Sequence, residues 1–237
     1  AASDVYKRQG LTLIEMQETL LNQLPDFNPE ELKQAIQSSE TPLSLGLSLR
    51  FIREGIFFPD TYDIDETSLA NEESLLNRMI AQFDVVADES GLSSPPPDLG
   101  VSPYEVLVIA SLIEEEAALE EERGKIARVI YNRLANNIPL GIDATIVYAL
   151  GGDRELTLSD LAVDSPYNTR LVQGLPPTPI SAPGRASINA ALNPAAGNWF
   201  YYVRTDESGI GSHTFVETQQ EFDAAVVICN QRELGCG

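Results

Sequence analysis

The chain has 237 residues, a hydrophobic fraction of 43% and a formal net charge of −21, enough apolar material for one large domain or a small domain joined to a larger one. So negative a surface repels polyphosphate and anionic lipid, which argues against nucleic acid as a partner. No run approaches the roughly 20 apolar residues of a membrane helix and no signal-peptide pattern opens the chain, so the piece as given reads as soluble.

With no initiating Met, an upstream segment is expected, and any membrane anchor would lie in it. The opening "AASDVYKRQ" reads poorly as the start of a domain, so residues 1–9 are expected not to be native. "GLTLIEMQETLLNQL" places Leu13, Met16, Leu20 and Leu24 at spacings of three and four, an amphipathic helix starting near Thr12. "NPEELKQAI" opens a second helix with Asn28 as N-cap and Pro29 in the first turn. "LRFIREGIFFPDTYDI" reads as an extended, partly buried strand stopped by Pro59, which closes a small α+β unit over residues 1–62. "SLLNRMIAQFDVVA" is helical, and "SSPPPDLGVSP" is a Pro-rich linker, so residues 63–102 connect this unit to a second one over 103–237.

The second unit begins with "PYEVLVIASLIEEEAALEEERGKIARVIYNRLANNI", which reads as two helices meeting near Arg123. From Pro139 onward Gly, Pro, Asn and Asp become dense, the composition of long ordered loops with short elements between them. "NWFYYVRT" and "GSHTFVET" flank "DESGIG" as a β-hairpin, and "QQEFDAAVVICNQ" is a terminal helix.

The block of glutamates after Ile113 raises the question of chemistry. With each residue of the first helix advancing roughly 100°, Leu107, Ala110, Ala117 and Ala118 fall within about 60° of Glu114, and Glu121, two turns along, shares that face. Glu115 would point to the side and Glu116 to the far face. A carboxyl among apolar walls resists ionisation and can serve as a general acid near neutral pH. Equally, Glu114 could form a buried ion pair with Arg128 or Arg133. For Glu115, Glu116, Glu120 and Glu122 the expected role is a solvated helix face.

Counting excludes other chemistries. His213 is the single histidine, no G-x-S-x-G elbow accompanies it, and one His with Cys229 and Cys236 matches no zinc pattern. No P-loop or Rossmann fingerprint is present, so neither a metal nor a cofactor is expected. Cys229 and Cys236 suit a small disulfide loop or two free thiols.

"ASLIEEEA", "VIYNRL", "GIDATIVYALG", "DSPYNTR", "GLPPTPISAPG" and "SHTF", in this order and at these intervals, resemble the catalytic domain of the endolytic murein transglycosylases of the MltG or YceG-like family. Upstream, "REGIFFPDTYDI" is similar to the segment that closes that family's LysM-like subdomain. The resemblance implies an α+β protein in which a small, incomplete LysM-like subdomain precedes a mainly helical catalytic domain with a β-hairpin. It implies cleavage of the β-1,4 bond between N-acetylmuramic acid and N-acetylglucosamine within a peptidoglycan strand, leaving a 1,6-anhydro end and terminating nascent strands. Peptidoglycan synthases (penicillin-binding proteins) would be partners. The site of action would be the outer face of the cytoplasmic membrane, a compartment that favours a Cys229 to Cys236 disulfide.

Carried onto this sequence, the resemblance puts the catalytic glutamate at Glu114. Asn132 would fix that carboxyl or a substrate hydroxyl, or else be an ordinary helix-end residue. Asp143 and Thr145 lie in "GIDAT", where Ala144 replaces the family's Pro. Asp143 would orient substrate, or keep Glu114 protonated by like-charge repulsion, or form a turn. Tyr167, Asn168 and Thr169 offer a stacking ring and hydrogen-bonding groups for sugars. His213 lines the groove or is a structural imidazole. Two rival functions remain: a non-catalytic peptidoglycan-binding adaptor, and a lysozyme-like hydrolase that uses water.

Overall fold

The computed structural model describes residues 3–6, 8–46, 53–64, 71–152, 155–205 and 211–234. The chain is α+β and about half helical. Strand β1 (Ser3–Tyr6) is followed by α1 (Leu13–Gln23), α2 (Pro29–Ser38) and β2 (Thr61–Ile64). β1 and β2 pair antiparallel, with Ser3 opposite Ile64 and Tyr6 opposite Thr61. Part of the segment given no weight from sequence is therefore a paired strand. Thr12 and Glu15 close a reciprocal capping box on α1, and Asn28 caps α2 with Pro29 in its first turn.

The expected strand before Pro59 does not form among the described residues, and only Thr61–Ile64, after that proline, is extended into a ladder. Ile56, Phe57 and Phe58 are buried instead as an irregular segment, pinned where Phe58 N–H donates to Met79 O at 3.3 Å. Gly55 makes the bend possible: its φ is +83°, and a Cβ there would sit 2.8 Å from Pro179.

Helix α3 (Glu72–Ser90) is capped by Asn71 and ends at left-handed Gly91. Helix α4 (Pro103–Glu116) opens with a Ser102–Glu105 capping box and Pro103 in its first turn. Every residue from Val106 to Ile113 is buried, the mark of a helix enclosed on all sides. Around it pack α5 (Arg123–Ala135), α6 (Asp143–Leu150) and α7 (Arg185–Leu192). One contiguous core joins Met16 and Leu20 of α1 to Ile109 of α4 and Ile188 of α7, so the two units read from sequence share a single apolar interior.

Helices α6 and α7 arise in the stretch that reads as loop. Each is only eight residues long, about two turns, and packs against α4, so tertiary contact and not length fixes it. Strands β3 (Tyr201–Arg204) and β4 (His213–Val216) form the expected hairpin, and α8 (Gln219–Gln231) packs on it. Cys229 of α8 is buried and disulfide-bonded, and Cys236, the chain's other cysteine, lies outside the described residues. No helix among the described residues is long and apolar enough to cross a membrane.

Candidate active site

The decisive local feature is where α4 stops. It ends at Glu116, and Ala117 is extended, with φ −84° and ψ 105°. Acidic side chains at a helix C-terminus face the negative end of the backbone dipole, and six glutamates lie between Ile113 and Arg123. The hairpin also closes over the break, since a Cβ on Gly211 would lie 3.1 Å from that of Ala118. The helical face assumed for Glu114 therefore does not extend past Glu116. Ala117, Ala118 and Glu121 are not its helical neighbours.

Each of the last three residues of α4 meets a different environment. Glu114 turns toward α7: its Oε2 accepts the Gly184 N–H at 2.9 Å and its Oε1 meets Arg123 Nη2 at 3.3 Å, with the side chain only 7% exposed. The ion pair weighed from sequence exists, with Arg123 in place of Arg128 or Arg133. Arg123 also donates to Ser187, so Glu114 ties α4, α5 and the start of α7 together. Glu115 faces Ser181 and the Gly10 turn. Glu115 is exposed, as expected of this face, but partial desolvation of its carboxyl end, reinforced by Glu114, Glu15 and Glu116 against an opposing Ser181 contact, pushes it up to about 7.

Glu116 is not on a solvated face. Its Oε2 accepts the Tyr202 hydroxyl at 2.7 Å. Burial pushes this carboxyl above the ordinary range and Asp143 adds to the rise, while Tyr202, His213 and Arg133 pull the other way. The Tyr202 phenol is pushed well above its usual value by burial and by Glu116 itself, so it stays a donor. One carboxyl thus takes a hydrogen bond from β3 through Tyr202 and feels the charges of Arg133 on α5, Asp143 on α6 and His213 on β4.

The hairpin register accounts for the last two. Tyr202 pairs with Phe215 and Arg204 with His213, so alternation places Tyr202, His213 and Phe215 on one face. The His213 ring meets Tyr202 edge-on at 5.4 Å. Glu122, also read as solvated, is buried: its carboxylate accepts both the His213 backbone N–H and Nδ1, each at 2.8 Å. With a carboxylate on Nδ1, that nitrogen carries the proton. Asp143 is held by a two-pronged ion pair with Arg170, at 2.5 and 2.8 Å.

The other candidates have different tasks. Asn132 Nδ2 donates to Gly197 O and Trp199 O at 3.2 and 2.9 Å, which anchors the lead-in to the hairpin. Thr145 and Thr169 are buried and bonded hydroxyl to hydroxyl at 3.0 Å, and Thr145 Oγ1 also donates to Ile142 O at 2.7 Å. Asn168, fully buried, donates to Leu161 O and Val163 O. These four side chains bond the chain's own backbone or one another, and none is among the groups that perturb Glu116. Tyr167 bonds Thr178 at 2.8 Å and packs on Tyr148. Of the sequence candidates, only Asp143 and His213 join the carboxyl that carries the perturbation. Glu116 and Glu122, expected on a solvated face, Arg133, expected as a partner of Glu114, and Tyr202, not singled out from sequence, make up the rest of the cluster. The alternation of "YYVR" against "HTFV" was the one available sign that Tyr202 and His213 share a face.

A profile of the YceG-like family matches residues 3–227. The chain belongs to the YceG-like family. A protein of Bacillus subtilis (strain 168) named endolytic murein transglycosylase is 34% identical over 209 residues, covering 88% of this chain and 54% of that protein. One of the same name from Streptococcus pneumoniae serotype 2 (strain D39 / NCTC 7466) is 36% identical over 160 residues, 65% of this chain and 28% of that protein. This YceG-like chain thus spans about half or less of these curated relatives. The crystal structure of a yceG-like protein from Listeria monocytogenes superimposes with a TM-score of 0.80 at 28% identity, covering 93% of this chain and 75% of that one.

Proposed function

We propose that this YceG-like chain is the catalytic part of an endolytic lytic transglycosylase, with Glu116 as its acid and base. The observation that carries the reading is the Glu116 carboxyl, raised by burial and oriented by Tyr202 where α5, α6 and the hairpin meet. The names of the relatives supply the substrate class, the glycan strand of peptidoglycan. Protonated Glu116 delivers its proton to the leaving oxygen of the bond between N-acetylmuramic acid and N-acetylglucosamine. The sugar becomes oxocarbenium-like, and the carboxylate then takes the proton of the muramic C6 hydroxyl as that oxygen closes onto C1. An intramolecular nucleophile has a high effective concentration, so one carboxyl suffices where hydrolysis uses two. The Tyr202 bond stabilises the carboxylate formed between these steps. Glu114, by this reading, positions α7 and does not touch substrate.

The β1–α1–α2–β2 order with antiparallel ends supports a LysM-like, glycan-gripping role for the N-terminal part. Such an enzyme works outside the cytoplasmic membrane on strands that peptidoglycan synthases make, and its cuts terminate them.

Incubation with intact peptidoglycan followed by mass spectrometry tests the reading. The wild-type chain should yield internal cuts ending in 1,6-anhydro muramic acid, and Glu116→Gln should yield none. Products about 18 Da heavier, carrying an added water, identify a hydrolase instead. Binding without cleavage by the wild-type chain identifies an adaptor.

A further inference from the structure

A cavity of about 390 Å³ lies where α1 and α2 meet the loops that follow α6, within the ~300–1,000 Å³ of small-molecule sites. Tyr148 and Tyr167 line one wall, their ring centroids 5.1 Å apart and tilted by 51°. Both phenols are anchored, Tyr148 by donating to Glu54 Oε2 at 3.1 Å and Tyr167 by its bond to Thr178. Glu54 also lines the cavity, but it is only 7% exposed and each of its oxygens already accepts a hydrogen bond, the second from the Leu13 N–H at 2.9 Å, which leaves Lys33 as the exposed charge there. On the other side Lys33 of α2, which is exposed, and Arg53 face the cavity. Arg53 donates to Ile36 O and Gln37 O at 2.8 and 3.1 Å, which fixes its cationic plane.

Two cations beside fixed aromatic rings are notable in a chain of net charge −21, whose overall field repels anions. Aromatic faces suit the C–H faces of a sugar, and a local cation is what lets an anionic ligand approach such a chain. Tyr148 sits five residues after Asp143 on α6, about 7–8 Å along the axis. The same helix, α6, thus carries a charge acting on Glu116 at its start and a wall of this cavity near its end.

We propose that this cavity is a distal subsite for a peptide-bearing muramic acid residue, its ring against Tyr148 and Tyr167 and a peptide carboxylate at Lys33. The inference rests on the glycan-strand reading above and names the anionic, peptide-substituted strand as the preferred form of that substrate.

The test uses the full chain and the disaccharide peptide N-acetylglucosaminyl-N-acetylmuramoyl-tetrapeptide, which has no muramic-to-glucosamine bond and so is not turned over. Titration calorimetry should show Lys33→Glu binding at least about tenfold more weakly than wild type, with Lys33→Arg keeping most of the affinity. Chitobiose, with the same rings and acetamides and no carboxylate, should bind at least about tenfold more weakly than the muropeptide. Chemical-shift changes should cluster at Tyr148, Tyr167 and α2. Unchanged affinity in Lys33→Glu, shifts confined to Tyr202 and His213, or no muropeptide binding by the wild type would each overturn the proposal. Binding at this cavity by a chain that does not cut peptidoglycan would refute the enzymatic reading and leave the subsite standing.

Discussion

Replacing Glu114 and Glu116 each by Gln should produce opposite phenotypes. Glu114 makes a 2.9 Å bond to the Gly184 N–H and a 3.3 Å contact with Arg123, itself only 15% exposed. Gln keeps an acceptor oxygen but loses the charge. Charge-assisted hydrogen bonds contribute ~1.5–3 kcal/mol against ~0.5–1.5 for neutral ones, so Glu114→Gln should cost about 2 kcal/mol. In a chain of this size that lowers Tm by about 4–8 °C, while the folded fraction keeps its activity within a few fold. For Glu116 the sign reverses. Its carboxyl is raised, so the native state keeps a proton that the unfolded chain has released. Stability is unpenalised below the ordinary carboxyl value, falls as pH rises through the raised one, and is lowest above it. Glu116→Gln removes that penalty, so its Tm should equal or exceed that of wild type at pH 7 and its advantage should vanish near pH 4. Loss of general acid–base catalysis should cut the rate by at least ~10²–10⁴. Thermal melts from pH 4 to 8 and product release from peptidoglycan read both quantities. An inactive Glu114→Gln with unchanged Tm, beside an active Glu116→Gln, would refute the assignment.

Tyr202→Phe removes the donor that opposes the rise of Glu116, so the alkaline limb of the pH–rate profile should move to higher pH and the rate should drop; an unmoved limb would show that Tyr202 does not govern the carboxyl. Asp143→Asn removes a repelling charge, and the same limb should move to lower pH. Gly55→Ala forces a side chain into φ +83° against Pro179, a destabilisation of about 1–3 kcal/mol measurable by urea unfolding. Asn132→Ala removes two bonds to the hairpin lead-in, at ~1 kcal/mol each, and should lower Tm more than it raises KM.

The local elements were legible because their determinants are local. Thr12, Asn28 and Ser102 begin helices where a side-chain oxygen and a nearby Glu or Pro say they should, and the alternation of "YYVR" and "HTFV" specifies a hairpin. The family too was legible, since ordered motifs survive without knowledge of their contacts. The choice among adjacent glutamates was not. Periodicity assumes that a helix continues, and only the closing of the hairpin over Ala118, with Tyr202 and His213 drawing Glu116 and Glu122 inward, decides that α4 stops. Asn132, Thr145, Asn168 and Thr169 announce hydrogen bonding by their chemistry, but whether the partner is a sugar or the chain's own backbone depends on residues up to 67 positions away. The sequence by itself determined the family and a run of carboxyls at the end of this helix. Tertiary structure decided which of them are desolvated, because desolvation is a property of what packs around a group and not of its place in the chain.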